Sequence, residues 1–256
     1  MIKHLLLTIL TISGLIVLFL IGPIPQDPAY HHFADTKKIF GIPNFFNVIT
    51  NLPFIIIGIW GLLRVWTNKI VTSIKPHYII FCAGIFLIGL GSSFYHLHPD
   101  NPSLVWDRLP ITIAFMSFFS ALIAEYISPN MGKKMLYPAL AVGIVSVIYW
   151  HITETLGTGD LRPYAAIQYI PLALTPLILI MYEPQNTYKR FVFWSLVFYG
   201  LSKVFEILDA EIFGFFQSVI SGHTIKHLLA APGSIFVIKM FMNSKNPGSM
   251  YEGEIR

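Results

Sequence analysis

Ser92 and His96 stand four residues apart in one apolar stretch, Asp107 follows eleven residues after His96, and His223 and His227 stand four apart near the start of the last apolar stretch. On an α-helix, residues four apart share one face, a single turn from each other. A His-x-x-x-His pair can therefore give two nitrogens to one metal ion. His96, from a neighbouring helix, completes the three protein ligands of a zinc site whose fourth tetrahedral position stays open for water. Zinc in such a site lowers the pKa of water to about 7. Asp107 is then the natural group to take and return a proton. Ser92 can donate to a developing oxyanion or orient the water. His98, two residues past His96, would point elsewhere on a continuing helix and is left out of the ligand set.

Each residue alone also has an ordinary structural reading. The His pair can bond carbonyls of adjacent helices, and Ser92 can bond back to its own helix. Asp107 can cap a helix N-terminus, where the dipole favours a carboxylate, or pair with Arg108. The case for a metal site lies in the convergence of the residues, which depends on the elements that carry them.

Those elements are membrane helices. Of 256 residues, 55% are hydrophobic and 12% charged, and the mean hydropathy is +0.65. Soluble domains carry about 25% charged residues. The net charge of +4 comes without a basic patch interleaved with aromatics, so nucleic acid is excluded as a partner. Cys82 is the single cysteine, which excludes a disulfide framework and any multi-cysteine metal site.

A spanning helix takes about 20 mostly apolar residues, and the chain offers eight such stretches, at 4–22, 44–66, 77–97, 109–128, 135–152, 164–182, 189–208 and 220–242. The expected fold is an all-α polytopic bundle, with a seven-helix core over 24–243, an extra N-terminal helix over 1–23 and a polar, mobile tail over 244–256. Turn residues separate the spans: Asn68 and Lys69, Pro99 to Pro102, Pro129 to Lys134, Gly157 to Asp160, Glu183 to Asn186. The first stretch is read as a retained anchor, because no A-x-A-like cleavage site follows it; cleavage would leave the same core in the same orientation.

Alternating the spans puts Lys3, Arg64, Lys69, Lys75, Lys133, Lys134, Lys189, Arg190, Lys239, Lys245 and Arg256 on one side of the membrane. Only Lys37, Lys38, Arg108 and Arg162 fall on the other. Basic loops stay cytoplasmic, so both termini are expected there. The same alternation brings the end of the 77–97 helix, the start of the next and the start of the last to the opposite, exoplasmic side. His96, Asp107 and the His223/His227 pair thus reach one depth. Ionisable groups in spans cost at least ~2.5 kcal/mol near the centre, and such a gathering needs a use.

Other polar residues read more simply. Lys203, Glu206 and Asp209 suggest an internal ion pair or a polar rim, and Glu125 a group snorkelling to water. Lys226 lies about 100° from either flanking histidine and is not expected in the chemistry. His4, His31, His32, His77 and His151 are expected to be solvated. Trp66, Trp106 and Trp150 are expected in an aromatic belt.

The set Ser92-x-x-x-His96, Asp107 and His223-x-x-x-His227, with Leu109-Pro110 after Asp107 and Asn47-Val48-Ile49-Thr50-Asn51 near the first core helix, resembles the alkaline ceramidase family. That family belongs to a superfamily of seven-span membrane hydrolases that includes the adiponectin/progestin-type receptors. The resemblance implies a zinc-dependent amidase that splits ceramide, a lipid amide, into a sphingoid base and a fatty acid. It implies zinc on His96, His223 and His227, proton transfer by Asp107 and transition-state stabilisation by Ser92. It also implies an exoplasmic N-terminus for the seven-helix core, in agreement with the charge count.

Three departures stand out. The acidic calcium cluster of eukaryotic members is replaced by Gln26-Asp27-Pro28-Ala29-Tyr30-His31-His32-Phe33-Ala34-Asp35, with Asn44 where an acid is expected, so calcium regulation is not expected. Arg108 replaces an acidic neighbour of Asp107, which bears on head-group preference. The N-terminal helix lies outside the minimal core.

A receptor or sensor of the same fold, with a structural or ligand-binding zinc, is the alternative reading. A transporter should show polar residues strung through the full depth of the membrane, whereas here they gather at one side. Nothing in the sequence points to a protein partner; the expected partners are the lipid amide and the membrane.

Overall fold

The computed structural model describes residues 2–67, 74–183 and 189–243. Asn68, Lys69, the turn at 184–186, the Trp66 side chain, Lys245, Arg256 and the tail after Asn243 lie outside them. Among the described residues the chain is helical, with an isolated bridge between Ile39 and Ile42 and no strand. The helices are α1 (Ile2–Leu20), α2 (Phe45–Ile49), α3 (Leu52–Thr67), α4 (Lys75–Leu97), α5 (Asn101–Tyr126), α6 (Pro129–Thr155), α7 (Arg162–Met181), α8 (Lys189–Ile207), α9 (Asp209–Phe215) and α10 (Gly222–Asn243).

Among the described residues seven segments are long and apolar enough to cross a membrane, α2 and α3 counting as one. The α8–α9 pair makes an eighth only if its 78° bend is taken as one broken span. Of the eight expected spans, the 189–208 stretch is the one that does not pass alone, and its chain turns sharply at Leu208 and Asp209. Five prolines lie inside α5, α6, α7 and α10. In lipid this is tolerable, because neighbouring helices and Ser/Thr hydroxyls take up the freed carbonyls.

Burial ranks the helices. In α5, 67% of the apolar window is buried inside the protein, against 6% in α1. α5 is therefore the axis of the bundle, packed between α4 and α6, and α1 is an outlying helix against α7. Arg162 ties α1 down by donating to the Ile21 carbonyl at 2.7 Å, while its guanidinium pairs with Asp160 at 2.8 Å. These bonds hold the Asp160 carboxyl below the usual carboxylate range.

Two boundaries differ from the sequence expectation. α5 starts at Asn101 rather than 109, because Asp100 caps it: its carboxylate accepts from Ser103 N at 2.7 Å, and Ser103 Oγ answers by accepting from Asp100 N at 3.2 Å. Asp107 consequently lies two turns inside the helix, so it is not the cap. α6 starts at Pro129, capped by Ser128.

A glycine sets the spacing at the level of the candidate site. A Cβ on Gly91 would fall 1.9 Å from the Trp106 carbonyl oxygen. Only glycine lets α4 and α5 touch there, and that contact brings Ser92 against Asp107.

Candidate metal centre and active site

His96 on α4 and His223 and His227 on α10 meet at one point. Their ring centroids are 4.9, 5.0 and 4.9 Å apart, a nearly equilateral triangle. All three are buried, and one ligand atom from each lies within 4.8 Å of the others. The Nε2 atoms of His96 and His223 are 3.3 Å apart. Two nitrogens bound tetrahedrally at 2.0–2.1 Å to one zinc ion would stand about 3.3 Å apart. The donor set therefore fits a metal.

The surroundings fix the rings. Thr50 Oγ1 gives its proton to Phe46 O at 2.6 Å, so it accepts from His227 Nδ1 at 3.0 Å. With Nδ1 donating, Nε2 of His227 keeps a free lone pair. Asp209 accepts from His223 N at 2.7 Å and so holds the start of α10. A Cβ on Gly222 would meet the Phe205 carbonyl oxygen at 2.2 Å, so glycine is needed for α10 to tuck into the α8–α9 bend. Asn44 Nδ2 donates to His96 O at 2.9 Å. This contact demands a donor, and a carboxylate at that position would face the carbonyl as a second acceptor.

Ser92 lies against the Asp107 carboxyl. Both line a cavity of about 610 Å³, with His227, Arg108, Lys203, Glu206 and Lys226. Beyond them the wall is apolar and runs down the helices at helical spacing: Ile88, Ile85 and Phe81 on α4, Ile111, Phe115 and Phe118 on α5, Ala230 and Val237 on α10. From Ser92 to Phe81 this amounts to roughly 16 Å of helix. Of the three imidazoles His227 lines the cavity; a polar end at that ring and a long apolar wall suit an amphiphile.

The segment before α2 crosses this end of the bundle. Its Phe33 ring packs on His96 at 4.7 Å and on His223 at 4.8 Å. His31 is held by Tyr95 Oη and Asn101 Oδ1, each at 3.0 Å. Ala34 N donates to Asp209 at 2.9 Å.

Residues 39–246 match the sequence profile of the family described as Ceramidase. The chain belongs to the ceramidase family. Among its relatives, the Dictyostelium discoideum protein named "Putative alkaline ceramidase dcd3A" is 26% identical over 173 residues, which cover 62% of this chain and 54% of that protein. The chain thus spans about half the length of this curated ceramidase relative.

The structure brings His96, His223 and His227 together, and Ser92 and Asp107 line one cavity with His227. Other expectations change. Arg108 does not pair with Asp107; its Nη2 donates to Gln26 Oε1 at 2.6 Å. His77 is buried rather than solvated, with Nε2 3.3 Å from Gly132 O, and His31 is held inside the crossing segment. Trp150 is buried against Arg108 rather than in a belt, whereas Trp106 is 59% exposed. Lys226 does line the cavity, where it and Lys203 both hydrogen-bond Glu206, so Glu206 serves as ion-pair partner and polar rim at once. Asp209 takes no part in that ion pair. Thr50, Phe33 and Asp209 were not singled out as site residues. Only Thr50 carried a signal, since it lies in the Asn47–Asn51 motif.

Proposed function

We propose that this chain is an integral-membrane, zinc-dependent hydrolase that cleaves the amide bond of a ceramide-like lipid to a sphingoid base and a fatty acid. The observation that carries the reading is the near-equilateral cluster of buried imidazoles at the polar end of an apolar cavity. Family membership supports the hydrolase class.

In this reading His96, His223 and His227 hold zinc, and Thr50 fixes the His227 tautomer. Bound there, zinc would supply Lewis acidity and lower the pKa of water to about 7. Asp107 takes the proton of the attacking water as the new C–O bond forms. It returns that proton to the amide nitrogen as the C–N bond breaks, so the amine leaves neutral. Ser92 donates toward the carbonyl oxygen as charge develops there. The apolar wall takes the acyl chain, which positions the amide beside Asp107 and keeps bulk water away. The calcium cluster of eukaryotic members has no part in this reading.

The charge asymmetry between loops supports cytoplasmic termini and an active site near the exoplasmic surface. A reporter fused after Arg256 tests it; an external reading inverts the topology.

The deciding experiment is turnover of a panel of lipid amides and esters by the purified full-length chain, before and after chelation and zinc return. Amide cleavage that disappears and reappears with zinc is expected. Turnover unaffected by chelation, or confined to esters, overturns the reading.

A further inference from the structure

The polar end of the cavity holds more positive than negative side chains. Arg108, Lys203 and Lys226 line it against the carboxylates of Asp107 and Glu206. Glu206 is shared by both lysines. Asp107 is the group expected to carry a proton during turnover, and each time it does so the excess of positive charge grows.

Arg108 is the unbalanced member. It is 5% exposed, and it has no carboxylate within ion-pairing distance among the described residues. Its Nη2 donates to the neutral Gln26 amide, and its Nη1 has no hydrogen-bond partner. Aromatic rings surround the guanidinium, with centroids at 4.0 Å for Trp150, 4.8 Å for Tyr164 and 5.7 Å for Tyr30. Rings attract a cation but accept none of its in-plane N–H bonds. A buried charge with an unused donor is costly unless an acceptor arrives. The guanidinium fork matches a carboxylate, phosphate or sulfonate with two parallel bonds. Its neighbour in the chain, Asp107, faces the same cavity, so an anion held by Arg108 would sit on the head side of an amide placed at Asp107.

We propose that the lipid taken by this cavity carries an anionic group on its head portion, and that Arg108 receives it. The inference rests on the amidase reading for the placement of the amide and adds the class of head group. Lys226 and Lys203 supply the background field, and Arg108 supplies the directional contact. The same chemistry has a second source, the carboxylate of the released fatty acid, and the test separates the two.

The test uses the full-length zinc-loaded protein in nanodiscs and two substrates with one acyl chain, one with a free hydroxyl head and one with a phosphate head. Wild type should favour the phosphate form by about tenfold or more in kcat/KM, mainly through KM. Arg108→Gln should bring the ratio near one, and Arg108→Lys should keep part of it. A second readout is independent of turnover. A phosphate-headed ketone isostere, titrated into metal-free protein, should change the fluorescence of Trp150 and bind Arg108→Gln about tenfold more weakly. Equal or better turnover of the neutral lipid by wild type overturns the inference, as does an unchanged preference in both variants. Tight binding of a free fatty acid without any head-group preference also overturns it and assigns the charge to the product. If no amide is cleaved while the phosphate isostere still binds through Arg108, the amidase reading falls and this inference stands.

Discussion

Thr50 Oγ1 lies 3.0 Å from Nδ1 of His227 while its own proton is committed to the Phe46 carbonyl. A hydroxyl so placed can only accept, and it forces the imidazole to present Nε2 to its two partners. Outer groups of this kind typically hold 10–100-fold of metal affinity. Thr50→Val keeps the shape and removes the acceptor. Zinc affinity measured by competition with a chelator should fall by about 10–100-fold while the helical content is unchanged. Unchanged affinity would mean that the tautomer is set elsewhere.

Removing Asp107 should separate binding from chemistry. Asp107→Asn keeps volume but cannot shuttle a proton. Zinc content should stay near one per chain, and turnover of the lipid amide should fall by about 10²–10⁴-fold. Full activity in this variant would remove Asp107 from the reaction.

His223→Ala gives the complementary result. Two imidazoles alone hold zinc poorly, so purified protein should lose stoichiometric metal by elemental analysis, and activity should go with it. Retained zinc at one per chain would exclude His223 as a ligand.

The contact of α4 with α5 predicts a steric effect. Gly91→Ala places a Cβ 1.9 Å from a backbone oxygen, where nothing can yield except the helices themselves. A loss of roughly 1–3 kcal/mol, read as a lower midpoint in thermal unfolding, is expected together with loss of turnover. Gly200→Ala, whose Cβ meets nothing within 4 Å, is the control and should leave both unchanged.

Acid should loosen the junction of α1 with α7. Hydrogen bonds from Arg162 lower the Asp160 pKa in the folded chain, so this pairing contributes fully above the ordinary Asp range and is lost as pH falls through the lowered value. Asp160→Asn should lower the unfolding midpoint at neutral pH and flatten its decline in acid. An identical acid profile in the variant would place the sensitivity elsewhere.

The sequence disclosed the histidines because i,i+4 spacing and the alternation of spans are both properties of a one-dimensional pattern. The start of α5 stayed hidden, since Pro99-Asp100-Asn101-Pro102 has the composition of a turn and of a capped helix start alike. The angle of Lys226 to the histidines keeps it out of the sequence reading of the site, but the cavity is broad enough for 226 and 227 to line it together. Trp150 and His77 read as surface groups because they lie toward helix ends. Their partners, Arg108 and the Gly132 carbonyl, come from other helices. Phe33 gave no periodic signal, being an aromatic in an irregular segment. Its place over two imidazoles follows only from the folded path of the chain.

Asp209, at the corner between α8 and α9, grips Ala34 with one carboxylate oxygen and His223 with the other. The strap bearing Phe33 and the helix bearing two imidazoles are thereby geared to a single side chain. One carboxylate thus fixes the cover and the ligand helix relative to each other.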